Sequence, residues 1–101
     1  MNATQANGIR VTVIRPGDLV FLDSFAGLVP AKVTGYATWG HVTVVVTAER
    51  GAYRRGEHTT FTPSGCVPRA HVRVRSGHYR IFGAWTFDGL PDEFQPGWAW
   101  D

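Results

Sequence analysis

Short runs that alternate between apolar and polar residues, each cut off by glycine or proline, most limit what this chain can fold into. A period of two places successive side chains on opposite faces of an extended strand, and no stretch keeps the 3.6-residue period of an amphipathic helix. Ile9, Val11 and Val13 share one face of the first run. Arg15-Pro16-Gly17-Asp18 follows as a tight turn, because Pro16 presets its φ and Gly17 accepts a positive one. Leu19 to Leu22 is a short apolar run, Ser24 to Pro30 reads as a loop, and Ala31 to Tyr36 alternates again, with Gly35 marking a bend or bulge. In His41 to Ala48, residues Val42, Val44, Val46 and Ala48 take one face. His58 to Thr62 is a Thr-rich strand, and Cys66-Val67-Pro68 reads as a 3₁₀-like turn. His71 to Arg75 and His78 to Phe82 are joined by Ser76-Gly77, a two-residue hairpin signal. A short strand near Trp85–Phe87 leads into an extended tail.

The pattern predicts an all-β domain of five to six antiparallel strands. A length of 101 residues suits one domain, and the 44% hydrophobic content suits one core. The expected core comprises Val11, Val13, Val20, Leu22, Val33, Val42, Val44, Val46, Phe61, Val72, Val74 and Ile81. Residues 1–8 are expected to be a flexible N-terminus, 9–83 a barrel with a C-terminal hairpin, and 84–101 an acidic aromatic arm. The single cysteine excludes an intrachain disulfide. Met1 to Gly8 is polar and uncharged, unlike a secretory signal, and no apolar run approaches the roughly 20 residues of a membrane helix. Neither secretion nor a membrane span is therefore expected; the expected location is the cytoplasm, with no membrane partner.

Charge is unevenly spread. Residues 1–87 carry all ten Lys and Arg against four acids, a balance of +6, whereas 88–101 carry Asp88, Asp92, Glu93 and Asp101 and no base. Such a chain suits an anionic partner, a self-docking tail or head-to-tail contacts between subunits. In the hairpin, Arg75 is expected opposite His78, Arg73 opposite Arg80 and His71 opposite Phe82, which crowds His71, Arg73, Arg75, His78 and Arg80 on one face. That face is either simply solvated or answered by an anion, namely phosphate or the carboxylates of Asp88, Asp92 and Glu93. Arg50, Arg54 and Arg55 form a second basic group beside Tyr53, an aromatic on which a base could stack. The candidate anion- or partner-binding residues are Arg54, Arg55, Arg73, Arg75 and Arg80. In the tail, Trp85, Phe87, Phe94, Trp98 and Trp100 are too apolar to stand in water. They either fold back over the barrel or anchor an arm on another subunit, and they are the candidate partner-binding arm residues.

Catalytic and cofactor patterns are missing. Neither GxxxxGK[ST], GxGxxG nor HExxH occurs, and Glu57 stands where a phosphate loop needs Lys. The four histidines lack a short metal-ligand spacing, and Cys66 reads as a small buried apolar residue. No enzyme activity, cofactor, metal or small-molecule substrate is expected.

Arg15-Pro16-Gly17-Asp18-Leu19-Val20 resembles the opening of small SH3-like barrels of the KOW and Tudor kind. Pro30-Ala31-Lys32-Val33, His41-Val42-Thr43-Val44 and His58-Thr59-Thr60-Phe61 fit the second to fourth strands of that layout. Ser64-Gly65-Cys66-Val67-Pro68 stands where such barrels place a 3₁₀ turn before the last strand, so the likeness spans about residues 15–75. For an aromatic cage of the Tudor kind, the loops offer Phe25, Tyr36, Trp39 and Tyr53. The Arg-, Val- and Trp-rich usage also resembles small proteins of tailed phages, where barrels of this size serve in head decoration, head completion or connectors, which implies the virion as an alternative location to the cytoplasm. These likenesses imply a non-enzymatic structural protein that assembles with other protein subunits, or alternatively a KOW-like nucleic-acid-binding module using the basic hairpin face.

Overall fold

A computed structural model describes residues 2–6 and 9–96, with side chains from Val11 onward. Among the described residues ten strands form three sheets: β1 (Asn2–Ala6), β2 (Ile9–Ile14), β3 (Leu19–Ser24), β4 (Gly27–Tyr36), β5 (Val42–Val46), β6 (His58–Phe61), β7 (Cys66–Pro68), β8 (Val72–Arg75), β9 (His78–Ile81) and β10 (Ala84–Phe87). The described residues are mostly strand, with no helix of seven residues or more, and none long and apolar enough to cross a membrane.

The main sheet has the order β6-β5-β4-β3-β7 and is antiparallel throughout. Alternation buries one face of it. Val20 and Leu22 of β3, Val29, Ala31 and Val33 of β4, and Val42, Val44 and Val46 of β5 are all buried. Register joins them into rows: Leu22 lies between Val29 and Cys66, and Val33 lies opposite Val44. Each such Val or Leu side chain contributes roughly 1.5–3 kcal/mol by leaving water. The register shifts between Val33 and Gly35, which is the irregularity that Gly35 predicted.

The second sheet has the order β1-β2-β10. Here the structure departs from the expectations. Within residues 1–8, expected as a flexible N-terminus, Asn2–Ala6 forms strand β1, paired antiparallel to β2 from Asn2–Val13 to Ala6–Ile9. β10 runs parallel to β2, from Ala84–Val11 to Phe87–Ile14, so the fold is not wholly antiparallel. Ile14, Trp85, Phe87 and Leu90 join the buried residues of the main sheet in one core.

Other corrections are local. Ser24–Pro30 is not a loop: Phe25-Ala26 forms a two-residue turn and β4 already starts at Gly27. Cys66–Pro68 is strand β7, flanked by 3₁₀ turns at Pro63–Gly65 and Arg69–His71. Of the expected core, Val13, Phe61, Val72 and Ile81 are only partly buried and Val74 is 73% exposed. Val74 and Tyr79 lie on the hairpin β8–β9, a separate two-stranded sheet. Val72 and Ile81 at the inner end of its apolar face pack against the core, whereas Val74 and Tyr79 further out have no second layer over them.

Candidate binding surfaces

The arm residues are divided by the fold. Trp85 and Phe87, placed on the arm by sequence, are 4% and 1% exposed inside the chain's own core. The Trp85 indole donates to Pro63 O at 3.1 Å, and Phe87 meets the ring of Tyr36 edge-on at 6.3 Å. The chain then turns back on itself. Gln95 accepts from Phe87 N–H at 2.8 Å and donates to the carbonyls of Phe87 and Leu90. Phe94 is half-buried over Gly40, where an added Cβ would lie 2.3 Å from its ring. Gly40 has φ +86°, so both the backbone and the close ring require glycine there. Trp98 and Trp100 lie outside the described residues.

The basic hairpin has the expected register, with Arg73 opposite Arg80 and Arg75 opposite His78. All four are exposed. Ser76 and Gly77 both take positive φ, at 50° and 79°, which is the tight turn that matches strand twist. Arg73 lies over the Phe82 ring at 4.5 Å. A shallow concavity is lined by Arg73, Arg75, Ser76, His78, Tyr79 and Arg80. Asp88, one of the carboxylates considered as an answer to this face, instead pairs with Arg15 at 3.1 Å.

Val72 and Ile81 pack against the core, and side-chain hydrogen bonds of His71 and Tyr79 also tie the hairpin to the body. His71, expected on the basic face, is buried at its base. Its Nδ1 lies 2.7 Å from Phe82 O and its Nε2 2.6 Å from the Thr12 hydroxyl. A carbonyl only accepts, so Nδ1 carries the proton in the neutral ring and Nε2 accepts from Thr12. On the apolar face, Tyr79 donates its hydroxyl to Asp23 Oδ1 at 2.9 Å. That hydrogen bond raises the Tyr79 pKa above the ordinary tyrosine value.

The other arginine group is partly neutralised locally. Arg54 lies 3.6 Å from Glu49, and its backbone N–H donates to Glu57. Arg55 is exposed. Arg50 donates to Ala26 O at 3.3 Å, tying this loop to the β3–β4 turn.

That turn carries a feature that sequence reasoning noted only among four scattered aromatics. Phe25 stands fully exposed at its tip. Ser24 fixes the turn by donating to Gly27 O and accepting from Ala26 N–H. Phe25, Ala26, Ala52, Tyr53 and Phe61 line a mostly apolar concavity. Tyr36 is turned inward to donate to Asp88 O, and Trp39 lies beside His41, so the four loop aromatics do not form a cage.

Cys66 is buried, and burial alone pushes its thiol up to about 12. The thiolate is the reactive form, so native protein is expected to resist a thiol reagent at mildly alkaline pH. Denaturant should accelerate labelling by orders of magnitude; equal rates in both states would contradict this burial. Among the described residues no group of three metal-ligating side chains occurs. Comparison with protein-family models, curated proteins and solved structures gives no match to this chain.

Proposed function

We propose that this chain is a non-enzymatic assembly protein that holds other protein subunits, of the kind that serves in tailed-phage virions as a decoration, head-completion or connector component. The observation that carries the reading is Phe25, a fully exposed aromatic on a pinned turn above the apolar concavity of Tyr53 and Phe61. Turn tips favour Gly, Pro, Asn, Asp and Ser, so a phenylalanine there has no role in the turn itself. An exposed aromatic beside an apolar hollow is the usual chemistry of a protein interface centre. The segment beyond Pro96, with Trp98 and Trp100, supplies further aromatic anchors for a neighbouring subunit.

The finer architecture in this reading is an SH3-like small barrel. Its support is the order β6-β5-β4-β3-β7 and the 3₁₀ turn Pro63–Gly65 between β6 and β7, which fit the layout that residues 15–75 resemble.

Light scattering tests the assembly. The full chain is expected to exceed the monomer mass, and Phe25→Ser to weaken association at least about tenfold, as loss of an interface hot spot does. Ending the chain at Pro96 should weaken it as well. A full chain that stays monomeric across the concentration range overturns self-assembly, and an unchanged mass for the shortened chain removes the arm from the interface.

A further inference from the structure

We infer that the hollow beside Phe25 receives the tail of a second copy of this chain: Trp98 and Trp100 of one protomer dock between Phe25, Tyr53 and Phe61 of the next. This inference rests on the assembly reading and names its partner and its geometry, head to tail.

The hollow suits a large apolar group. Phe25, Ala26, Ala52, Tyr53 and Phe61 form most of its lining, and its volume is about 560 Å³. Pockets that enclose a drug-sized ligand span roughly 300–1,000 Å³. Its walls are already fixed. Ser24 pins the turn through Ala26 N–H and Gly27 O, and Arg50 ties the loop of Tyr53 to that turn through Ala26 O. Gly51 approaches so closely that an added Cβ would lie 2.5 Å from the Ala26 side chain. A preformed hollow leaves little ordering cost for whatever enters it.

The chain carries a matching plug. Trp98 and Trp100 are two positions apart, so an extended segment presents both rings on one side. Asp92, Glu93 and Asp101 flank them, and Asp92 and Glu93 are exposed. Beside the hollow stand the exposed Arg50, Arg54 and Arg55; among the described residues only Arg54 of the three has a carboxylate partner, Glu49. Opposite charges at a rim guide encounter and fix orientation, while the buried rings supply the affinity.

The position of the tail favours a neighbour's hollow over the chain's own. Phe25 stands at the turn before β4, whereas Tyr36 and Gly40, against which Asp88 and Phe94 rest, lie at and beyond the other end of that strand. Its ten residues span about 30 Å, and Trp98 and Trp100 reach about 7 and 14 Å from Pro96. Tail and hollow are different parts of the chain, so each protomer uses both. Such a contact builds a ring where the rotation closes and an open filament where it does not.

Two full-length variants test this by light scattering, alone and mixed. Phe25→Ser breaks the hollow and keeps the tail; the double variant Trp98→Ser, Trp100→Ser does the reverse. Each alone is expected to associate at least about tenfold more weakly than the unchanged chain. An equimolar mixture should recover a dimer and nothing larger, because one intact tail meets one intact hollow and the remaining ends are broken. Unchanged urea midpoints confirm folded variants, and Trp100→Ser alone replaces the double variant if its midpoint falls. A mixture no heavier than its components overturns the pairing of tail with hollow. A tryptophan variant that keeps the full mass overturns it too, and leaves assembly through Phe25 standing. A monomeric full chain overturns both readings. Association gained by the tryptophan variant then shows the tail covering its own chain's hollow, and a variant that stays monomeric points to a foreign protein partner.

Discussion

A chain ended at Gly83 is expected not to fold, whereas one ended at Pro96 is expected to keep the stability of the full chain. The first cut removes Trp85, Phe87 and Leu90, all buried in the one core. Truncating one buried aromatic alone costs about 3–5 kcal/mol. Losing both of these, with Leu90 and the parallel partner of β2, reaches the total stability of an ordinary domain, about 5–15 kcal/mol. The second cut keeps Phe94 over Gly40 and the Gln95 hydrogen bonds to Phe87 and Leu90. Urea unfolding followed by circular dichroism separates the two. A cooperative transition in the Gly83 chain, near that of the full chain, would mean that residues 84–90 are an accessory arm.

His71→Ala should release the ribbon from the body at a cost of about 3–4 kcal/mol, the sum of a small cavity and two lost hydrogen bonds. The imidazole fills the space between Phe82, stacked at 5.6 Å, and Trp85, met edge-on at 5.6 Å. Its removal leaves the Thr12 hydroxyl buried without this partner. Thr12→Val removes only the Nε2 contact and should cost roughly 1–3 kcal/mol. Hydrogen exchange is the decisive measurement, because stability is distributed unevenly over a structure. Amides of residues 72–81 should lose more protection in His71→Ala than those of β3 to β5. An equal loss everywhere would make His71 an ordinary core residue rather than the ribbon's anchor.

Much of the fold was legible in local pattern. The run from His41 to Ala48, with Val42, Val44 and Val46 on one face, predicted β5 and its buried side, and Ser76-Gly77 predicted the register of β8 on β9. That register alone places Arg73 and Arg75 on one surface. Periodicity tells which residues share a face, however, and not whether anything covers that face. Val74 was expected inside for that reason, and His71 outside, since nothing local reveals that Thr12 and Phe82 O lie against its ring. Phe25 was obscured in another way: Ser24 to Pro30 reads as loop, and a turn of only two residues left no loop for it to hide in.

The tail shows the division most clearly. Its aromatic content by itself determined that these side chains must leave water, because large apolar rings are costly to hydrate. Composition does not say where they go. The parallel pairing of β10 with β2 joins residues about 73 positions apart, from Ala84–Val11 to Phe87–Ile14, so no local signal could carry it. Alternation, turn chemistry and charge are properties of neighbours along the chain, and those the sequence determined: an all-β chain, a basic hairpin and a buried cysteine. Which face is covered, which aromatic is inside and which arginine finds a carboxylate depend on contacts between distant segments, and only the tertiary structure decided them.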